Sequence, residues 1–303
     1  MVFRYGVAVL VLLLMGLLPA VPDAMGAEKT SKRLHAHKHY AAVEKARAPQ
    51  KLVLRSASAL VEDQRTGEFL VQKQAETVLP IASITKLMTA MVVLDAQMDL
   101  QDMLTIDSED VDTLRHSRSH LPVGTRLTRE QALLLALMAS ENRAAHALGR
   151  TYPGGFDAFV TAMNAKAQSL GLHETHFKDP TGLSGRNVSS ARDLARMVDA
   201  AHKYSHIREF TTQEEATIHS GRRPLKFRNT NQLIHGSRWQ IGLSKTGFID
   251  EAGRCLVMQA QVAKRPVLIV LLDAQGKLTR YADANRIKQW MEGPSSTRKI
   301  RRG

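Results

Sequence analysis

Ser83-Ile84-Thr85-Lys86 runs directly into the apolar stretch Leu87-Met88-Thr89-Ala90-Met91-Val92-Val93-Leu94. Apolar residues fall on every side of a helix drawn through this stretch, which predicts a central, buried helix from about Ser83 to Ala96. On such a helix Ser83 and Lys86 stand at i and i+3 and share one face. A serine hydroxyl becomes a nucleophile when a base takes its proton. A lysine in an apolar pocket has a lowered pKa and can be that base without histidine. The spacing alone is weak, because average residue usage gives about one Ser-x-x-Lys by chance in a chain of this length. A second copy, Ser296-Thr297-Arg298-Lys299, lies in a polar tail with no apolar helix to bury its lysine.

Of the 303 residues, 1–27 read as a secretory signal peptide: Arg4, an apolar run Val7–Leu18, then small residues at Ala20, Ala24, Gly26 and Ala27. Residues 28–50 form a basic linker with alternating His35, His37 and His39 and little apolar surface, expected to be disordered rather than a metal site. The linker and the tail (292–303) hold much of the +13 net charge. For an exported protein this points to an anionic envelope rather than nucleic acid, and 5% aromatic residues are too few for base stacking. Weak association of the tails with that envelope is left open. Cys255 is the only cysteine, so no internal disulfide forms, and its apolar surroundings read as core.

About 240 residues remain, which can bury one substantial core. Val53–Val61 and Glu68–Gln72 flank Gly67 and predict a hairpin. Helices are expected over Gln131–Met138, Arg143–Arg150, Phe156–Leu170 and Ser190–His202, with a loop across Val111–Leu127. Trp239–Thr246, Arg254–Lys264 and Pro266–Asp273 read as three strands with short connections, hence antiparallel, before a helix over Arg280–Met291. The simplest packing joins the hairpin and the three late strands in one five-stranded antiparallel sheet covered by helices, an α+β fold. A single domain over 51–291 is expected. Its sheet part is about 51–82 and 237–291, and a helical part covers about 83–236.

Two further motifs lie on elements suited to chemistry. Ser140-Glu141-Asn142, the only Ser-x-Asn in the chain, ends an apolar helix. Its hydroxyl can relay a proton, and its amide can both donate and accept. Lys245-Thr246-Gly247 ends the first late strand; the lysine and hydroxyl can hold a carboxylate, and the glycine admits a close backbone. Arg65-Thr66-Gly67 and His219-Ser220-Gly221 are decoys for this third motif. The first belongs to the predicted hairpin turn, and the second has no apolar strand leading into it.

In the order Ser-x-x-Lys, Ser-x-Asn, Lys-Thr-Gly, these motifs match the set of penicillin-binding proteins and serine β-lactamases. The chain resembles the low-molecular-mass penicillin-binding proteins, the D-alanyl-D-alanine peptidases, from about Ser56 to Trp290. It is most similar to their endopeptidase branch through Ala82–Met91 and Ser140–Ala145. The resemblance implies a β-lactamase/DD-peptidase-like fold and a periplasmic enzyme of peptidoglycan. It implies that Ser83 is the nucleophile, Lys86 its base, Ser140 a proton relay and Asn142 a positioning group. Lys245, Thr246 and Gly247 would bind substrate, and the N–H groups of Ser83 and Phe248 would hold the oxyanion. It further implies covalent binding of β-lactams, with no metal and no cofactor. Arg280 aligns with a second carboxylate-holding position, although a helix-start arginine without that role is the simpler reading.

Three alternatives share parts of this pattern. A β-lactamase needs a deacylating glutamate, and no class A Glu-x-x-Leu-Asn occurs. A D-alanyl-D-alanine carboxypeptidase of the membrane-anchored kind carries an extra domain and an amphipathic anchor, which the basic tail does not resemble. A catalytically dead wall-binding protein would not need Ser83, Lys86, Ser140, Asn142 and Lys245 together.

Overall fold

The computed structural model describes residues 52–293, residue 222 excepted. The signal segment, the basic linker and the tail beyond residue 293 lie outside the described residues.

The chain opens with the hairpin β1 (Ser58–Asp63) and β2 (Phe69–Lys73), turned through Gly67 at φ 73°. The short strand β3 (Leu79–Pro80) and a 3-10 turn (Ala82–Thr85) lead into α1 (Lys86–Asp95). Strands β4 (Met103–Thr105) and β5 (Arg126–Thr128) pair with each other. Then follow α2 (Arg129–Met138), α3 (Asn142–Arg150) and α4 (Gly155–Ser169). Next, β6 (Val188–Ser189) pairs back to β3 ahead of α5 (Ala191–His202) and α6 (Ser205–Thr212). A hairpin, β7 (Glu215–Ser220) and β8 (Arg223–Arg228), precedes the long strands β9 (Gln240–Ile249), β10 (Gly253–Val262) and β11 (Arg265–Ala274). The last helix is α7 (Thr279–Glu292).

The expected five-stranded antiparallel sheet is present, in the order β2-β1-β11-β10-β9. Its middle strand, β11, is apolar from Val267 to Leu272 because both faces are buried. In β11, Leu268, Val270 and Leu272 join one core cluster, while Val267, Ile269 and Leu271 join the other. Side chains alternate across a strand, so α5 covers the first face and α7 the second. Each such side chain is worth roughly 1.5–3 kcal/mol when fully buried. The first cluster also contains α1, which is buried from Lys86 to Val93, as its all-round apolar pattern predicts.

Local rules set the helix starts near the site. Thr128 and Gln131 form a reciprocal capping box on α2, and the Glu141 carboxylate accepts from the Arg143 N–H at the start of α3. Ser190 caps α5, its hydroxyl oxygen accepting from the Asp193 N–H.

Several expectations need correction. The part between the sheet segments is not purely helical: it holds the β4–β5 pair and the β7–β8 hairpin, and β5 takes the end of the expected Val111–Leu127 loop. A strand, β7, does lead into His219-Ser220-Gly221, but as expected it is not an apolar one. Among the described residues that hairpin buries only Ile218 and Phe227, so its apolar alternation is faint. Helix α6 follows α5 after only Lys203 and Tyr204, with no side-chain cap to mark its start.

Candidate active site

Four elements meet at Ser83. The Ile81 N–H donates to Asn187 O at 3.0 Å, anchoring the 3-10 turn to the β3–β6 pair. Ala82 sits at φ 46°, a left-handed conformation that non-glycine residues rarely adopt. The neighbouring loop, Asp179–Leu183, presses against this turn. A Cβ at Gly182 would lie 2.0 Å from Ala82 O and 2.8 Å from Ser83 N, and Gly182 itself has φ 80°. Only glycine fits there. From the sheet side, a Cβ at Gly247 would stand 3.1 Å from Ser83 N, so β9 also meets the serine turn backbone to backbone.

Lys86 is fully buried. Its Nζ lies 2.8 Å from Ser83 Oγ, 2.8 Å from Asn142 Oδ1 and 2.7 Å from Thr181 O. An ammonium donates to all three. A neutral amine donates to Asn142 and Thr181 and keeps its lone pair for the Ser83 hydroxyl, with no change of position. Burial lowers the Lys86 pKa to about 7, against the opposing pull of Asp179 and Glu141. Both protonation states are therefore accessible near neutral pH.

The Ser140–Asn142 turn supplies the second wall. Ser140 is held at φ 59°, and Asn142 Nδ2 donates to Ser117 Oγ at 3.0 Å. The third wall is β9, the edge strand of the sheet, whose outer edge no other strand of that sheet covers. Lys245 Nζ donates to Ser140 Oγ at 2.9 Å and to Thr246 O at 3.0 Å. Burial, then the charges of Lys86 and Arg280, push its pKa well below that of an ordinary lysine. Thr246 Oγ1 donates to Thr230 Oγ1 at 2.7 Å. Phe248 is half-exposed, with the Arg254 guanidinium 4.3 Å from its ring centroid.

Hydrogen bonds thus link Ser83, Lys86 and Asn142 in one set and Ser140, Lys245 and Thr246 in another, and Gly247 packs on Ser83. Arg280 is buried behind β9, where Nη1 donates to Gly247 O at 3.0 Å and Cys255 O at 3.2 Å. It braces the strand from within. Cys255 is fully buried, which pushes its thiol up to about 11 and leaves it inert at neutral pH.

Sequence reasoning reads a turn at Asp179-Pro180-Thr181-Gly182 but does not place it at the back of the site. Asp179 Oδ1 accepts from the N–H groups of Thr181 and Gly182 at 2.7 and 2.8 Å, an Asx-type turn that aims Thr181 O at Lys86. Asn187 fixes the same loop, accepting from Lys178 N and donating to Asp179 O. Asp179-Pro180-Thr181-Gly182 is legible as a turn, but a backbone carbonyl acceptor leaves no mark in sequence. Ser117 and Thr230 were missed for a related reason: each lies in a polar stretch remote from every motif.

A serine hydrogen-bonded to a buried lysine, facing a second serine and an edge strand that presents another lysine, is an arrangement suited to serine acyl transfer. The family model described as D-alanyl-D-alanine carboxypeptidase, peptidase S11, matches residues 43–276, and the chain belongs to this family. It is 50% identical over 251 residues to a D-alanyl-D-alanine endopeptidase of Pseudomonas aeruginosa, covering 82% of this chain and 81% of that one. It is 46% identical over 239 residues to the D-alanyl-D-alanine endopeptidase of Escherichia coli K12, covering 78% and 77%. Among solved structures, the Streptomyces K15 DD-transpeptidase superposes with a TM-score of 0.74 at 29% identity, covering 79% of this chain and 98% of that one.

Proposed function

We propose that this protein is a periplasmic serine DD-peptidase that hydrolyses D-alanyl-diaminopimelate cross-links in peptidoglycan. The observation that carries the chemistry is the placement of the Lys86 amine between Ser83 Oγ and two fixed acceptors. In this reading, neutral Lys86 takes the Ser83 proton and Oγ attacks the D-alanyl carbonyl. The oxyanion forms against the backbone N–H groups of Ser83 and Phe248, a kind of stabilisation often worth several kcal/mol. Collapse expels the diaminopimelyl amine, which receives a proton relayed through Ser140, and water then releases the acyl group from Ser83. Asn142 holds Lys86 and the acyl side. Lys245 and Thr246 hold the carboxylate beside the scissile bond, and Gly247 lets the substrate lie along β9 as an added strand. A β-lactam enters as a substrate mimic whose acyl-enzyme persists at Ser83.

The 50% and 46% identities to endopeptidases favour cross-links over stem pentapeptides. Trimming of pentapeptides is the second reading, favoured by the description of the family model. Incubation with purified muropeptide dimers and with pentapeptide monomers, followed by chromatography, separates the two. The proposal expects dimer cleavage; monomer trimming without dimer cleavage would move the assignment to a carboxypeptidase. The signal segment 1–27, the domain 51–291 and the contact of the basic tails with the envelope stand as parts of the same proposal.

A further inference from the structure

Besides Ser83, Lys86 has two hydrogen-bond partners, Asn142 Oδ1 and Thr181 O. The second is a backbone carbonyl, which can only accept. The first belongs to an amide, which has nearly the same shape either way round, with an acceptor at one end and donors at the other. Reversed, Asn142 would aim Nδ2 at Lys86. Its orientation is therefore set by its other neighbour, Ser117, whose Oγ lies 3.0 Å from Nδ2. A serine hydroxyl can serve such a contact as donor or as acceptor. The choice passes one step further out, to Asp112.

Asp112 organises a tight turn. Its Oδ1 accepts from the N–H groups of Leu114 and Arg115 at 2.9 and 3.0 Å, and its Oδ2 from the Ser117 N–H at 2.9 Å. The Ser117 hydroxyl hydrogen-bonds the same carboxyl group. Burial raises the Asp112 pKa, but these hydrogen bonds outweigh it and hold the group below its ordinary value, so it is ionised at neutral pH. A carboxylate only accepts. The Ser117 proton is thus committed to Asp112, its oxygen is left to accept from Asn142 Nδ2, and Oδ1 is left facing Lys86 Nζ at 2.8 Å. Arg115 fixes the turn in place, donating from Nε to Leu183 O and pairing through Nη2 with Glu251 at 2.8 Å. Leu183 belongs to the loop that presents Thr181 O, and its N–H donates to Thr181 Oγ1 at 3.0 Å. Both acceptors of Lys86 are therefore braced against each other.

We propose that Asp112 is a positioning residue for acylation: through the Ser117 hydroxyl it sets which end of the Asn142 amide faces Lys86. The inference rests on the reading of Lys86 as the base. With Oδ1 inward, the ammonium has its acceptor, and the neutral amine can donate there and keep its lone pair for Ser83. With Nδ2 inward, the ammonium meets a donor, and the lone pair of the neutral amine is taken up by the amide. Asp112 acts only through Ser117 and Asn142 and exchanges no proton with Ser83.

Asp112→Asn in the full-length protein replaces the carboxylate by an amide of the same shape that can donate to Ser117, so the chain of hydrogen bonds can run backwards. Stopped-flow acylation by benzylpenicillin should slow roughly 10–100-fold, as misplacement of a reacting group does. The acid limb of its pH profile should also move to lower pH, because the Lys86 ammonium loses an acceptor. The charged groups that face Lys86 are Asp179 from its loop, Glu141 from the α2–α3 turn and Lys245 from β9, and all three are unaltered in this variant. Ser117→Ala should cause a smaller loss, since it frees the amide without reversing it, and Ser117→Thr, which keeps the hydroxyl, should stay near the unaltered rate. Adding Ser117→Ala to Asp112→Asn should recover the rate to that of Ser117→Ala alone, a non-additivity expected of groups in one chain. An unchanged rate constant in Asp112→Asn, slowing with the acid limb unmoved, or a double variant slower than Asp112→Asn would each overturn the inference. So would equal losses in Ser117→Ala and Ser117→Thr, a comparison that stands even where Asp112→Asn does not fold. Lys86→Met tests the base reading separately: acylation retained there defeats that reading, whereas acylation lost there but kept in Asp112→Asn defeats the positioning role alone.

Discussion

Lys86, in the helical layer, and Lys245, on the edge of the sheet, are both buried lysines of one site, yet their surroundings fit them for opposite tasks. Lys86 has Asp179 and Glu141 nearby, and three acceptors fix its amine. These acids partly offset the cost of burial and leave the group near neutrality, where a base is useful. Lys245 has Lys86 and Arg280 as its charged neighbours, so its ammonium is destabilised from every side. In the proposed mechanism, the substrate carboxylate supplies the missing opposite charge. Burial alone does not assign a lysine its role; the sign of the next charges does.

The largest effect should come from breaking the first member of the pair. Lys86→Met is expected to lower penicillin acylation by at least about 10³-fold, as loss of an activating base does. Intact-protein mass spectrometry checks this, and an adduct forming at the unaltered rate would mean another base. The same variant should be more stable than the parent in mildly acid solution. The Lys86 pKa is about 7 in the folded protein and ordinary when unfolded, so below pH 7 the folded state carries the whole penalty of a buried charge. Between pH 7 and the ordinary lysine value, the unfolded state binds more protons and native stability rises with pH. The gain, about 1–3 kcal/mol at pH 6 by thermal or urea melts, should therefore shrink toward pH 10.

In the proposed mechanism, Lys245→Gln removes the carboxylate receptor and leaves the base. A loss of about 10²–10³-fold in kcat/KM on dimers is expected, with a smaller loss of penicillin acylation. Equal losses on both would erase the functional contrast between the lysines. Gly182→Ala should act on both through structure. Its Cβ would collide with Ala82 O, so a loss of about 2–4 kcal/mol in stability is expected, checked by denaturant melts. Little change would show that the Asp179–Leu183 loop does not support the serine turn.

How much of this could be read in sequence follows the same division. The sheet was legible because β10 and β11 are long, apolar and closely connected, and α1 because every turn of it is buried. Ser83, Lys86, Ser140, Asn142 and Lys245 were legible as motifs at the start of α1, between α2 and α3, and on β9. The charge environment that separates the two lysines was not. Asp179 lies far along the chain from Lys86, and its carboxylate acts through space and through the turn that presents Thr181 O. The β7–β8 hairpin escaped notice because surface strands held by two buried side chains show almost no alternation.

The pH dependence of Ser83 acylation tests the central claim most directly. Stopped-flow measurement with benzylpenicillin from pH 5.5 to 8.5 should show a second-order rate constant that rises about tenfold per pH unit on the acid side. It should level off above an apparent pKa of about 7, as Lys86 loses its proton. A rate constant that stays flat across this range, or that still rises as steeply in Lys86→Met, would contradict the assignment of Lys86 as the base.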